Sequence, residues 1–296
     1  MSDFVQQNSF ICSFNSSDNW TILSPIEQSI KSKIDAVGIP LKNWDIKINF
    51  GIKTGYNDAF IIDSFTKEKL IAEDPRSAEI IRPILRGRDI KRFAYNFADL
   101  WLINTHNGIK SKKVSPVDIN DYPAIKRHLD QYFDKISKRN DKGDTPYNLR
   151  NCIYMDEFSK QKIVWKRIGS LLKFAYDDSG CVTLDSTCIA TGKNIKYIAA
   201  ILNTTLGNYM FMNSPRTGTG DLIVSVQAFE PIKIPQIAEN KIQHFEELYD
   251  SISDCIKTGK DYSNYENELE KITYDLYEIN SNEREYITKI SNKLFR

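Results

Sequence analysis

The side chains in this 296-residue chain best suited to polar chemistry are cations and amides clustered on loops. In Gly51-Ile52-Lys53-Thr54-Gly55-Tyr56-Asn57, two glycines let a backbone approach a phosphate, and Lys53, Thr54 and Asn57 supply donors. The same segment also reads as a tight turn between strands. Arg86, Arg88, Lys91 and Arg92 fall within seven positions, open both to phosphate contact and to ion pairing with Asp89. Three further stretches are polar and basic: Asn104, Asn107, Lys110, Lys112 and Lys113; then Lys166, Arg167 and Lys173; then Asn213, Arg216, Thr217 and Thr219. Arginine and asparagine are the side chains that read base edges in a DNA groove. Ordinary solvated loops are the alternative for each stretch.

The elements that must hold these loops alternate between strand and helix patterns. Ser24-Pro25-Ile26-Glu27 is a capping box with proline at the first helical position, and Ile26, Ile30, Ile34 and Val37 mark one face before Gly38. Trp44, Ile46, Ile48 and Phe50 alternate with polar residues, the period of a half-buried strand. A strand over Ala59 to Asp63 is expected next, then a short helix from Asp74 to Arg82, stopped before Pro83. Phe93 to Tyr95 and Leu100 to Ile103 have strand character. Pro123 opens a helix with Ile125, Leu129, Phe133 and Ile136 on one face. Strands are expected at Ile163–Trp165, Phe174–Tyr176, Val182–Leu184, Ile223–Val226 and Ile232–Ile234, with a helix over Ile195–Met212. Beyond Glu239 the pattern is helical alone, with stripes Phe245, Leu248, Tyr249, Ile252, Ile256 and Tyr265, Leu269, Ile272, Leu276. The expected fold is α+β: a mixed-sheet body with packed helices over 1–238 and a helical C-terminal subdomain over 239–296.

Bulk properties narrow the class. Net charge is +1, but residues 239–296 hold 13 acidic and 8 basic side chains, a net of −5 that leaves +6 on the body. A mildly basic body with an acidic tail suits a protein that meets nucleic acid with one part only. Five scattered cysteines, Cys12, Cys152, Cys181, Cys188 and Cys255, form no CxxC pair, so reduced thiols are expected and a structural zinc site is not. The opening MSDFVQQNSF lacks a basic start followed by an apolar run, and no long apolar stretch follows, so a cytoplasmic location is expected.

The ordered set of motifs carries more weight than any single one. GIKTGYNDAF at 51–60 precedes DPRSAEIIRPILRGRDI at 74–90. Tyr147-Asn148-Leu149-Arg150, Lys162-Ile163-Val164-Trp165, Phe174-Ala175-Tyr176-Asp177, Leu202-Asn203-Thr204 and Ile232-Lys233-Ile234-Pro235 follow in turn. This series resembles the TaqI-like C-terminal specificity domain found downstream of the catalytic domain in adenine-specific DNA methyltransferases and fused restriction enzymes. The Leu276-Tyr277 region is similar to that family's tail, although Glu278 and Ile279 replace the usual glycine and leucine. The resemblance implies a sequence-specific duplex-DNA module whose partner is a methyltransferase or endonuclease domain or subunit. It adds Arg150 to the candidate DNA contacts. It also implies that the LRGRDI segment, shared among enzymes of different specificity, cannot itself choose bases, which favours a structural role for Arg86 and Asp89. Base readout is then expected in the segments outside the shared motifs, Asn104 to Ile119, Asn140 to Thr145, Arg167 to Lys173 and Met212 to Asp221.

The chemistry of such enzymes has no counterpart in this chain. Adenine methylation uses a (D/N)PP(Y/F) loop and a glycine-rich turn for S-adenosylmethionine; no proline pair occurs, and the loop Arg216-Thr217-Gly218-Thr219-Gly220 follows a helix instead of a strand. Asp74 with Asp89-Ile90-Lys91, or Asp35 with Asp45-Ile46-Lys47, imitates a Mg²⁺-dependent nuclease pattern. Asp74-Pro75 reads equally as a helix start, and Asp45 and Lys47 as a solvated strand face. His128 and His244 are expected on helix surfaces. S-adenosylmethionine and Mg²⁺ are therefore expected to belong to a partner or catalytic domain. Two rival readings remain: a helical protein–protein interaction subunit, and a nuclease built on Asp74, Asp89 and Lys91. Titration calorimetry of the purified chain with S-adenosylmethionine is expected to give no heat of binding; micromolar affinity would overturn the assignment.

Overall fold

The computed structural model describes residues 23–294, so Cys12 lies outside the described residues. Helix α1 (Pro25–Val37) starts as its capping box requires, with the Ser24 hydroxyl and backbone exchanging bonds with Glu27. The strands that build the body are β1 (Ile46–Phe50), β2 (Ile61–Asp63), β3 (Ile81–Leu85), β4 (Leu100–Ile103), β5 (Lys162–Lys166), β6 (Phe174–Asp177), β7 (Val182–Thr183) and β8 (Thr187–Gly192). One sheet has the order β6-β5-β8-β1 and is antiparallel throughout. The other has the order β7-β3-β4-β2, with β7 and β3 parallel. A bridge from Ile52 to Leu184 joins the two where β1 runs out.

The first sheet is the middle layer, because apolar side chains leave both of its faces. Ile163, Trp165, Phe174, Cys188 and Ala190 point into one core, and Val164, Ala175 and Ile189 into the other. That is the period-2 alternation, and the second face also carries Lys47, Lys162, Asp177 and Thr191. Helix α2 (Ile195–Leu202) and the tail cover the first core; the second sheet and Ile125 and Leu129 of a helix over Pro123–Asp130 fill the other.

The tail helices are Glu239–Thr258, Ser263–Leu276 and Ser281–Leu294. Phe245, Leu248, Tyr249, Ile252, Leu269 and Ile287 are buried in the same core as Ile30, Trp44 and Trp165. Tyr176, on the edge strand β6, donates its N–H to the Tyr249 hydroxyl at 2.8 Å. Asn203 holds the same strand from within the body. Its amide accepts from Phe174 N at 3.1 Å and donates to Phe174 O at 2.7 Å, doing for one residue what a neighbouring strand would do.

Several expectations shift. Helix forms over Ser64–Glu73, where only Leu70 is buried and Phe65 is exposed, so its apolar residues mark no face from which it could be read. Asn57–Phe60 is a helical turn, and strand begins only at Ile61. Asp74 caps a single 3₁₀ turn, Pro75–Glu79, and the chain then enters β3 straight through Pro83, because Ile81, Ile84 and Leu85 are drawn into the second core. Strand β8, which lies inside the first sheet, was not expected from Thr187-Cys188-Ile189-Ala190-Thr191-Gly192, whose small and polar residues hide its burial. The helix after Pro123 breaks after Asp130, leaving Phe133 exposed. The helix α2 ends at Asn203, and Thr204 caps the next turn, Thr205–Tyr209. Strand stops at Ile223, and Val226–Phe229 is helical. Phe93 sits at the left-handed corner of a hairpin, Ile90–Lys91 with Ala94–Tyr95. Tyr265 is exposed, so it does not belong to its helix's buried stripe. Among the described residues no helix is long and apolar enough to cross a membrane, and Cys152, Cys181, Cys188 and Cys255 are unpaired.

One ion pair is wholly interior. Lys162 on β5 and Asp177 on β6 are cross-strand partners, 2.5 Å apart between Nζ and Oδ2, with both side chains fully buried. Lys162 also donates to Phe158 O at 2.6 Å. Removing one partner strands the other charge in the core. Lys162→Met is expected to lower unfolding free energy in urea by about 3–5 kcal/mol, and Lys162→Met with Asp177→Leu to recover most of it.

Candidate nucleic-acid interface

The loop after β1 is held by residues distant in sequence. Gly51 packs so tightly on Leu184 that a Cβ there would meet the Leu184 carbonyl oxygen at 1.9 Å, and its N–H is donated to Thr187 O at 3.0 Å. Gly55 takes a φ of 71°, which glycine adopts freely. Both glycines therefore serve the turn, and the Gly51 N–H is not offered to a ligand. Thr54 is 2% exposed, and its hydroxyl donates to Asn57 at 2.6 Å. It shapes the loop and has no surface for contact with DNA, a correction to its expected role.

Arg139, which the sequence reading passed over, organises this region. Its guanidinium donates to the carbonyls of Thr54, Asp141 (3.2 Å), Pro146 (3.1 Å) and Asn148 (2.5 Å), with its carbon 4.3 Å from the Phe60 ring centroid. Burial pushes its pKa down to about 10, opposed by the Asp141 charge, so the group stays cationic at neutral pH. The 51–55 loop and the 141–148 loop are thus tied to one buried cation. Asn107, buried and not free to read bases, braces the same region by donating to Asp144 at 3.0 Å and Asn151 at 2.6 Å.

Between the 50–53 and 149–155 segments lies a cleft of about 390 Å³ that brings together Lys53, Arg150 and Arg167, three of the candidate cations. Tyr154, Met155 and Asp185 complete its wall. Lys53 and Arg150 both pair with Asp141 at 3.1 Å. Arg167 lies with its guanidinium carbon 6.0 Å from the Phe50 ring centroid. Cys152 also lines the cleft, but burial pushes its thiol up to about 11, which leaves it protonated and unreactive.

The other candidates spread outward from this cleft. The Lys166 stem lies across Gly87, where a Cβ would meet its Cγ at 3.0 Å, and Arg88 is exposed beside it. Arg86 is engaged inward: it grips Asp89 through Nε at 3.0 Å and Nη2 at 2.8 Å, the structural role its motif implied. Lys110, Lys112 and Lys113 form an exposed turn, with Lys112 on Asp156 at 2.5 Å, next to the cleft residue Met155. Val224 donates to Arg167 O at 2.8 Å, and Leu222–Ile223 pairs with Ile168–Gly169. That ribbon carries the Arg216–Gly220 loop, where Arg216 donates to Gly220 O at 2.8 Å and the Thr217 and Thr219 hydroxyls lie 2.8 Å apart. Asn213 is separate: it lines a groove with Glu27, Tyr209 and Ile232 beside α1. Asn57 is exposed at the start of its turn.

The remaining chemistry-bearing residues have local work. Asp89 is taken by Arg86, and Asp74 caps Arg76 N at 3.3 Å, so the pair does not fit a Mg²⁺ site. Among the described residues no three His, Cys, Asp or Glu side chains gather as metal ligands. The Gly218–Gly220 loop closes a two-stranded ribbon and leads into no helix N-terminus, so it does not fit a S-adenosylmethionine cradle. His128 is half-buried with a ring nitrogen 3.0 Å from Ala59 O, and burial lowers its pKa; the surface placement expected for it is wrong. His244 is exposed and pairs with Glu268 at 3.0 Å.

Arg139→Ala is expected to lower stability by at least about 3 kcal/mol, because several carbonyls lose a charged donor inside the protein. Hydrogen exchange should speed up first in residues 51–57 and 141–148, and uniform acceleration over the chain would contradict this local role.

The model of the TaqI-like C-terminal specificity domain matches residues 82–235, more than half of the chain. A type II methyltransferase, M.MjaIV of Methanocaldococcus jannaschii, is 24% identical over 263 residues, 84% of each chain. The structure of the type IIL restriction-modification enzyme MmeI in complex with DNA superposes with a TM-score of 0.60 at 12% identity, over 88% of this chain and 37% of that one. The type IIG restriction endonuclease BpuSI matches at a TM-score of 0.45 and 13% identity, over 86% of this chain and 33% of that one. This chain thus spans only about a third of the length of each of these two solved enzymes. With the motif order, the two-core sheet and the matched span in agreement, the chain belongs to the TaqI-like C-terminal specificity domain family.

Proposed function

We propose that this chain is a target-recognition module of an adenine-specific restriction-modification system and binds duplex DNA sequence-specifically through the face around the Lys53–Arg150–Arg167 cleft. The observation that carries the reading is that segments separate in sequence bring three cations to one cleft in a member of a specificity-domain family. Phosphate contacts fall to Lys53, Arg150, Lys166 and Arg88, and base contacts to the exposed loops, foremost Arg216 on its ribbon. Lys110, Lys112 and Lys113 extend the same face.

A methyltransferase or endonuclease, as a domain or a subunit, supplies the chemistry, with S-adenosylmethionine and Mg²⁺ bound there. The relative from Methanocaldococcus and the MmeI enzyme support such a partnership by their names. The acidic residues 239–296 form the helical subdomain and face away from phosphate. The burial of Phe245, Leu248 and Ile252 in the body favours this role over a free interaction subunit.

Selection of bound duplexes from a random pool, with and without a candidate methyltransferase, tests the reading. Lys53→Ala is expected to weaken all duplexes evenly and to lower the salt slope by about one unit, whereas Arg216→Ala relaxes preference at one position by about 1–3 kcal/mol. If both variants weaken every sequence alike, base readout does not reside in the 216–220 loop.

A further inference from the structure

Lys53 and Arg150 belong to different loops, yet one carboxylate holds both. Asp141 Oδ2 is 3.1 Å from Lys53 Nζ, and Oδ1 accepts from Arg150 Nη1 at 3.1 Å, so each oxygen serves one cation. The cations are 50% and 61% exposed at the cleft, while Asp141 is 24% exposed. Its backbone does not drift, because Arg139 donates to the Asp141 carbonyl at 3.2 Å. The Lys53 ammonium, assisted by Arg150, holds the Asp141 carboxyl below the usual carboxylate range. A duplex seated here draws both cations to its phosphates and leaves the carboxylate between a negative backbone and a dry interface. An anion stripped of its partners in such a place needs new donors. Phosphates, sugar oxygens, N7, O6 and O4 only accept; the donors on a major-groove edge are the exocyclic amino groups of cytosine and adenine.

We propose that Asp141 is a specificity-determining residue that exchanges partners on binding, releasing Lys53 and Arg150 to phosphates and accepting a hydrogen bond from the amino group of a cytosine or adenine. This rests on the reading of the cleft as a duplex-DNA face. On DNA without an amino group in the right place, Asp141 either keeps its cations, which weakens phosphate contact, or is left unpaired. Both outcomes hold down binding to wrong sequences, which no cation in the cleft can do.

The test uses the full chain, the duplex it selects from a random pool, and a random-sequence duplex. Asp141→Asn is expected to bind the random duplex about fivefold more tightly while the ratio of selected to random affinity falls about tenfold or more. Adding Lys53→Ala and Arg150→Ala to Asp141→Asn should cancel the gain on random DNA; a gain that survives means that Asp141 was not restraining those cations and overturns the exchange. In the wild type, selected duplexes with single amino groups deleted, purine for adenine or pyrimidinone for cytosine, should lose affinity at one position. The absence of any such position overturns the proposal even if Asp141→Asn fails to fold, and where the variant folds, the position lost in the wild type should be the one to which Asp141→Asn is indifferent. A wild type that selects a sequence while Asp141→Asn keeps the same selectivity sinks the exchange alone. A wild type that binds no duplex sinks it together with the reading of the cleft.

Discussion

The Arg139 guanidinium is the constraint on which the polar face depends. Two loops rich in glycine, lysine and aspartate have little apolar surface of their own, and ordering them must be compensated elsewhere. A planar cation inserted between them, with Phe60 against its face and carbonyls of both loops around its edge, supplies that compensation at one point. Five donors in a fixed fork are what such a site needs, and a lysine ammonium does not reproduce that geometry. Lys53 and Arg150 are then displayed from a rigid frame, so less conformational freedom remains to be lost when a ligand arrives.

The middle sheet distributes the rest of the molecule around that frame. With apolar residues on both faces, it separates a core closed by the tail from a core closed by the second sheet. The polar groups inside it are accordingly paired, Lys162 with Asp177 and the Trp165 indole with Val224 O at 2.8 Å. The loops that carry the candidate contacts leave this sheet where β1 ends and where β5 runs into Arg167, which is why residues far apart in the chain share one cleft.

Fold class and the tail helices were legible in the sequence because capping and periodicity are local signals; α1 declares itself in four residues, Ser24 to Glu27. The helix over Ser64–Glu73 was not legible, since it buries one leucine, and neither was β8, whose burial follows from its neighbours on both sides. Of the cations that line the cleft, Lys53 and Arg167 were named from residue type and Arg150 from the resemblance, whereas Thr54, also named, spends its polarity inside the loop. Of the groups that decide how those cations behave, Arg139 carried no local signal, and Asp141 only that of a polar loop outside the shared motifs. Their meaning lies in partners distant in sequence, and no spacing rule reaches so far.

The bond from Tyr176 to Tyr249 has a temporal side. Strand β6 is an edge, and an edge with a free N–H is a template for another strand. The residue that covers it arrives late in synthesis, together with the helix face that closes the first core. Until that helix has emerged, a nascent chain carries a middle sheet with one face only partly covered and one open edge, the surfaces through which incomplete β proteins associate. Covering the β6 edge and closing the first core are therefore one event, carried by the same helix.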